Sequence, residues 1–134
     1  MSDIRQRFCF EADFKSIKVR DAVLWEFEAY KLATSDADFE SLAAVEANPS
    51  QTKSTAICFI GRDTPDVQAF AQFLQKTLAA LRLDITLGFE WSCWSETFEE
   101  GSFGGGAVVV TRDAIVWNDT RIWLENSKKR KKVA

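Results

Sequence analysis

Residues 87–117, with the sequence LGFEWSCWSETFEEGSFGGGAVVVTRDAIVW, contain three of the five tryptophans and five of the six glycines of the chain. Before the glycine triplet Gly104–Gly106, apolar and polar side chains alternate, and a run of valines follows it. Both patterns are typical of β-strands. We therefore predict three strands around the triplet, the last two joined by the two-residue connection Arg112-Asp113: Ile85–Ser95, Ala107–Thr111 and Ala114–Trp117.

The N-terminal part of the chain predicts one strand and contains one ambiguous segment. Apolar residues recur at every second position within Ile4–Ala12, which predicts a strand. The segment Asp21–Ala33 fits a helix face and an alternating strand equally well. Its content of alanine, leucine, glutamate and lysine favours a helix, which is our prediction.

Three further elements are predicted in the middle of the chain. Ser35 or Asp36 can cap a short helix through Ala47, and a polar loop from Asn48 to Lys53 follows it. The apolar run Ser54–Gly61 is typical of a strand buried on both faces and central in the sheet.

A helix through about Arg82 should begin at Thr64, with Thr64 as N-cap and Pro65 in the first helical position. Its apolar residues at helical spacing are Val67, Phe70, Ala71, Leu74, Leu78 and Leu81.

These elements predict a single α+β domain over residues 1–126, with a mainly antiparallel sheet and two to three helices packed on one face. Asp119 or Thr120 should cap a last short helix that packs Ile122, Trp123 and Leu124. Residues 127–134 are predicted to form a disordered basic tail.

Histidine is absent from the 134 residues, so the commonest general base and metal ligand is missing. Glu90, Glu96, Glu99 and Glu100 lie close in sequence and leave catalysis by paired carboxylates open. Solvated acidic residues are the simpler interpretation. We therefore lean towards a protein without enzymatic activity, and we predict no cofactor and no metal site.

Cysteine content and hydropathy indicate the compartment. Cys9, Cys58 and Cys93 are odd in number and far apart, which predicts reduced, buried thiols instead of disulfides. No apolar run reaches the roughly 20 residues that span a bilayer, and the N-terminus lacks the apolar segment of a secretory signal. We expect a cytoplasmic protein without membrane contact.

The net charge of −3 hides a division between the body of the chain and its end. Lys128–Lys132 carry five of the 17 basic residues, which leaves 12 basic against 20 acidic residues elsewhere. The basic end can be a solubilising tail, a non-specific contact to nucleic acid phosphates, or a match to a nuclear-import signal. The acidic body argues against primary nucleic acid binding by the folded surface. Its charge is modest for a mimic of DNA.

The glycine triplet does not match a phosphate-binding loop. Such loops place glycines after a strand and before a helix, whereas Gly104, Gly105 and Gly106 precede a strand. One interpretation is a bulge or bend beneath a packed indole. The other is a rim against which a planar ligand or a partner backbone lies, flanked by Trp91, Trp94, Phe103 or Trp117.

Alternation along the predicted strand before the triplet places its two tryptophans, Trp91 and Trp94, on opposite sides. Phe89 and Trp91 point to one side, whereas Glu90 and Trp94 point to the other. Trp94, beside the acidic residues Glu96, Glu99 and Glu100, is therefore a candidate contact residue, since tryptophan is enriched at binding hot spots.

The segment FEWSCWSETFEEGSFGGGAVVVTRDAIVWNDTRIWLE resembles the C-terminal part of small bacteriophage-encoded proteins. The shared pattern is W-S, then E-x-G-x-F-G-G-G-A, then V-T and a tryptophan-rich end. The resemblance implies an accessory protein of a phage, acting in the bacterial host. It implies no catalytic residue.

Our first functional hypothesis is a non-enzymatic phage accessory or host-modulating protein that binds a protein partner through Trp94, the acidic connection and the glycine bend. The alternative is a protein that binds or sequesters a small nucleotide-like molecule against Gly104–Gly106, with an indole on its base and Arg112 or Arg121 on its charge. An enzyme using glutamates with Mg²⁺ or Mn²⁺ is a third hypothesis. Self-association through an exposed strand edge is also open.

Overall fold

The structure, a computed structural model, describes residues 5–34, 42–62, 64–94 and 104–133. Strands and helices follow one another along the chain as β1 (Arg5–Asp13), α1 (Ile17–Thr34), β2 (Val45–Pro49), β3 (Ala56–Gly61), α2 (Val67–Ala80), β4 (Leu87–Trp94), β5 (Gly105–Val110), β6 (Ile115–Asp119) and α3 (Thr120–Val133). Within these residues, no helix combines the length and the apolar character needed to cross a bilayer.

The strands form one six-stranded sheet in the order β2-β3-β1-β4-β5-β6. Every neighbouring pair is antiparallel, so the predicted α+β class with an antiparallel sheet is confirmed. From β1 to β4 the chain runs β-α-β-β-α-β, which together with the strand order is the ferredoxin-like topology. β5 and β6 extend this sheet beyond β4.

Helices α1 and α2 pack on one face of the sheet, and a cluster of phenylalanines fills the space between. Phe70 of α2 is fully buried at its centre. Its ring lies 4.9 Å from Phe8, 5.1 Å from Phe59 and 5.4 Å from Phe89 between centroids. The core therefore joins α2 to β1, β3 and β4.

The ambiguous segment Asp21–Ala33 is helical and lies within α1, as predicted. Helix α2 begins later than predicted: its N-cap is Asp66, whose carboxylate accepts a hydrogen bond from the backbone N–H of Ala69 at 2.9 Å. Thr64 is not the cap. Aspartate and threonine are both good N-caps, so the sequence offered two starting points.

The predicted helix through Ala47 is wrong, since Val45–Pro49 is strand β2. Residues 35–41 lie outside the described part. β2 pairs with β3 from Val45↔Gly61 to Pro49↔Ile57, so the loop predicted from Asn48 starts two residues later. Pro49 fits this position because β2 is an edge strand. β3 lies inside the sheet, but half-buried Cys58 and Ile60 face away from its core.

The prediction for the C-terminal helix is also wrong in two respects. Ile122, Trp123 and Leu124 are exposed. Consecutive helical residues are about 100° apart, so the three could not all have faced the protein. The helix continues to Val133, so residues 127–133 are helical. Lysine and arginine are good helix formers and suit a helix C-terminus.

The three cysteines are free, as predicted. Their predicted burial is wrong for Cys9, which is exposed, whereas Cys58 and Cys93 are half-buried. Desolvation raises the pKa of the Cys58 thiol, and the neighbouring Cys9 adds to this effect.

At the end of β1, Asp13 joins two segments of the chain. Its carboxylate accepts hydrogen bonds from the Thr55 hydroxyl (2.6 Å) and from the backbone N–H of Lys15 (2.9 Å), and it pairs with Lys53 Nζ (2.9 Å). These contacts hold the pKa of the Asp13 carboxyl well below its usual range, with the Thr55 bond the largest cause.

We expect Asp13→Asn to destabilise the protein at neutral pH. Because the folded state lowers this pKa, the stabilisation is complete above the usual aspartate pKa of about 4. It is lost progressively as the pH falls below that value towards the folded pKa. Urea unfolding between pH 7 and pH 2 should show a wild-type advantage that shrinks with acidification. Asp84→Asn is the control, and an equal effect there would contradict the prediction.

Candidate functional site

One face of the sheet carries neither α1 nor α2. We call it the open face, and it includes Arg5, Arg7, Cys9, Glu11, Cys58, Ile60, Gly88, Glu90, Ser92, Ala107, Val109, Val116 and Asn118. Most of these residues are exposed, whereas Cys58, Ile60 and Ala107 are half-buried. Strand alternation explains the division, because Phe89 and Trp91 alternate with the exposed residues of β4 and point into the core. A large part of the sheet is thus accessible from one side.

A groove of about 520 Å³ lies at the glycine end of the open face. We call it the glycine groove, and it is lined by Glu90, Trp91, Ser92, Gly104, Gly106, Ala107, Asn118, Thr120 and Trp123. Helix α3 contributes the last two residues because it starts directly after β6 and lies beside the ends of β5 and β6. The groove is therefore bounded by a strand pair on one side and by an exposed indole on the other.

Close contacts with Trp91 and Asn118, and not the groove itself, require glycine at positions 105 and 106. A Cβ on Gly106 would lie 2.5 Å from Cη2 of Trp91 and 2.5 Å from the backbone oxygen of Asn118. Gly105 has φ +138°, and a Cβ there would collide with the Trp91 carbonyl oxygen. Trp91 is buried. The bend beneath a packed indole is thus present, and the open groove lies on the opposite side of the same glycines.

A second groove adjoins the first where β1 and β4 separate. The ladder between these strands ends at Arg7↔Ser92. Beyond it lies a space of about 610 Å³, which we call the strand cleft, lined by Cys9, Phe10, Gly88, Phe89, Glu90, Trp91, Ser92, Ala107, Val108 and Val109. The rings of Phe10 and Phe89 stack at 4.9 Å between centroids. The two grooves share Glu90, Trp91, Ser92 and Ala107, so they form one continuous depression.

Glu90 is the charged residue common to both grooves. Its side chain is exposed, and within the described residues it makes no hydrogen bond or ion pair. The surrounding residues Gly88, Ser92 and Ala107 are small. In the part of the chain that the structure describes, the Glu90 carboxylate therefore has no partner and lies in the middle of a shallow depression with a floor of small residues.

The structure brings only part of the predicted site together. Trp91, Gly104 and Gly106 line the glycine groove, and Gly105 lies between the two glycines. Trp94 is the last residue of β4, and its side chain lies outside the described part of the chain. The predicted contact residues Glu96, Glu99 and Phe103 lie outside the described part of the chain.

Two predicted site residues lie away from the groove. Arg112 is in the turn between β5 and β6, at the far end of β5 from Gly105, which at strand spacing is about 20 Å away. Its side chain approaches Asp113 at 3.9 Å. Trp117 points to the helix side, where it packs edge-on against Trp91 at 5.6 Å between centroids. Neither residue reaches the open face beside the glycines.

Sequence reasoning missed several groove residues. Ser92, Ala107, Asn118 and Thr120 have no distinctive chemistry, and Trp123 was assigned to the core. Alternation placed Glu90 opposite Trp91, and the predicted helices on one face left the other face open. The strand order, which brings Ala107 and Asn118 beside Glu90, was the missing information.

In the described part of the chain, no three aspartate, glutamate or cysteine side chains converge on a position that would hold a metal ion. No protein-family model matches this chain, and neither a curated protein nor a solved structure matches it. The resemblance to phage-encoded proteins stays a prediction.

Proposed function

We propose that this chain is a non-enzymatic binding protein, an accessory or host-modulating factor of a phage, and that its open face docks a protein partner. The observation that supports this most is the exposed Glu90 carboxylate, which has no hydrogen-bond or ion-pair partner among the described residues and lies in the middle of a sheet face that carries neither α1 nor α2. An exposed depression of this extent suits a macromolecular surface better than a small ligand, because small-molecule sites bury most of their ligand.

The chemistry of the depression favours a basic side chain on the partner. A lysine or arginine placed over Ala107 would meet the Glu90 carboxylate. The indole of Trp123, which lines the same groove and is 59% exposed, can add a cation–π contact. The acidic balance of the chain outside Lys128–Lys132 attracts such a partner over longer distances.

The same features argue against single-stranded RNA as the partner. RNA-recognition modules of this topology stack bases on aromatic residues of the sheet surface. Here the open-face positions of β1 and β3 include Cys9, Glu11, Cys58 and Ile60, none of which is aromatic. A non-specific phosphate contact through Lys128–Lys132 stays a separate prediction.

We expect a library of random displayed peptides, selected on the whole protein, to yield sequences enriched in lysine and arginine. Glu90→Gln should weaken a selected peptide several-fold, and Glu90→Lys should weaken it at least about tenfold, because it places like charges together. Binding would be measured by fluorescence polarisation at low and physiological salt.

Glu28→Gln is the matched control, since Glu28 is an exposed carboxylate on α1, on the opposite side of the molecule. It should leave the affinity unchanged. Selection of peptides without basic residues, or equal losses in Glu28→Gln and Glu90→Gln, would contradict the proposal.

The alternative, a small nucleotide-like ligand, is supported by the size of the glycine groove, which lies within the range of ligand sites. Glu90 would repel a phosphate, Arg112 is too far away to neutralise one, and the side chain of Arg121 lies outside the described part. The described residues therefore favour an uncharged or cationic planar ligand stacked on Trp123. A melting temperature raised by nucleosides, and lost in Trp123→Ala, would favour it.

A further inference from the structure

Within the described residues, strand β6 is one edge of the sheet and pairs only with β5. The backbone N–H of Thr111 donates to the carbonyl of Ala114 at 2.9 Å. Since hydrogen-bonded pairs alternate along an antiparallel ladder, Val116 directs its backbone groups at β5. Ile115 and Trp117 therefore direct theirs away from the sheet. These two residues present a free edge that another strand can extend.

The two edges of the sheet differ in how they resist such pairing. β2 carries Pro49, which has no N–H, and exposed Glu46, which approaches Arg62 at 3.7 Å. Proline and charged side chains are common protections of an edge strand. β6 has no proline, and its one charged residue is Asp119 at its C-terminal end. Its central residues Ile115–Trp117 therefore lack these protections, which marks β6 as the edge that pairs.

The side chains of β6 are apolar and accessible. Val116 is 61% exposed on the open face, and Trp117 is 42% exposed on the helix side. In the described part of the chain, β6 contacts β5, α2 and α3. Neither helix hides these two side chains, so the edge is available to a partner in solution.

We propose that two copies of this chain associate through β6, as antiparallel strands related by a two-fold axis at Val116. This register pairs Ile115 of each copy with Trp117 of the other and uses the outward backbone groups of both residues. It also sets Val116 directly opposite its own equivalent. Apolar residues thus face apolar residues at three successive positions, and no charged side chain lies between Ala114 and Asn118.

A second copy fits this edge better than an unrelated strand because the segment is self-complementary in this register. An axis at Trp117 would instead set Ile115 opposite Asp119 and Val116 opposite Asn118. The two-fold axis runs perpendicular to the sheet, so both open faces lie on the same side of the dimer. A partner with two basic segments would then engage both copies.

Sedimentation equilibrium of the full chain over a wide concentration range should show a reversible monomer–dimer equilibrium. Val116→Lys should raise the dissociation constant at least about tenfold, because like charges then face each other across the axis. Val116→Glu should do the same. An equimolar mixture of the two variants should restore dimers, since lysine then faces glutamate.

Val109→Lys is the matched control. Val109 pairs with Val116 on the same face but lies one strand inside the edge, so this variant should dimerise as the wild type does. A wild type that stays monomeric at all concentrations would overturn the proposal. So would equal weakening by Val109→Lys and Val116→Lys, or no recovery on mixing.

A covalent test fixes the register. Opposite residues at such a position have Cα atoms about 4.5 Å apart, within disulfide range. In a Cys9→Ser background, Val116→Cys should therefore form a disulfide-linked dimer on mild oxidation. Val109→Cys should not, because the two copies of that residue would be about 14 Å apart across three strand spacings. Cross-linking at Val109 in place of Val116 would overturn the register.

Discussion

Phe70→Ala should lower the free energy of unfolding by about 3–5 kcal/mol, the usual cost of removing a buried phenylalanine ring. Phe70 is fully buried, and its ring contacts those of Phe8, Phe59 and Phe89. The cavity would thus separate α2 from three strands. Because single domains are stable by only about 5–15 kcal/mol, the variant should be partly unfolded at 37 °C.

Urea unfolding followed by circular dichroism measures this loss. Trp25→Ala is the matched control, since Trp25 is an equally large aromatic residue on α1 that is 69% exposed. Its removal should change the stability by less than about 0.5 kcal/mol. Similar losses in the two variants would show that the phenylalanine cluster is not the centre of the core.

Gly106→Ala should be the second most damaging change, with a loss of about 1–3 kcal/mol from overpacking. The new Cβ would lie 2.5 Å from both the Trp91 ring and the Asn118 carbonyl oxygen. Trp91 is held by the core and by Trp117, so it cannot move without disturbing β5 and β6. Thermal unfolding would show a lower midpoint, and tryptophan fluorescence would report the displaced indole.

Gly88→Ala separates this clash from a general effect of removing glycine. A Cβ at Gly88 would lie 3.6 Å from the nearest atom, an ordinary contact. Alanine there should be neutral or slightly stabilising, because it reduces the freedom of the unfolded chain. A loss at Gly88 equal to that at Gly106 would contradict the role assigned to Trp91.

Local patterns were sufficient for most elements of the fold. Alternation located β1 and β4, and apolar residues at helical spacing located α2. Local patterns failed where tertiary contacts determine the secondary structure of a segment. In the segment Val45–Pro49, apolar and polar residues alternate over only four positions, too few to predict a strand, and the segment is a strand because it pairs with β3. For α1, the periodicity fitted a helix and a strand equally well, and the amino-acid composition correctly favoured the helix.

The candidate site was less predictable than the fold. The glycine triplet drew attention to the correct end of β5, and Trp91 was named there as a flanking indole. Its role beneath the glycines and the groove on their other side follow from strand order, which a single sequence does not contain. Arg112 was predicted near the glycines because it is close to Gly106 in sequence. In the structure, β5 separates the two, and Arg112 lies at its far end.

The most direct test of the proposed docking face is a chemical-shift titration of isotope-labelled protein with a selected lysine- or arginine-containing peptide. We predict the largest shifts at the backbone amides of Glu90, Ser92, Ala107 and Asn118, with small changes on α1, and loss of the response in Glu90→Lys. Shifts concentrated on the outer surfaces of α1 and α2, with the open face unchanged, would contradict the account.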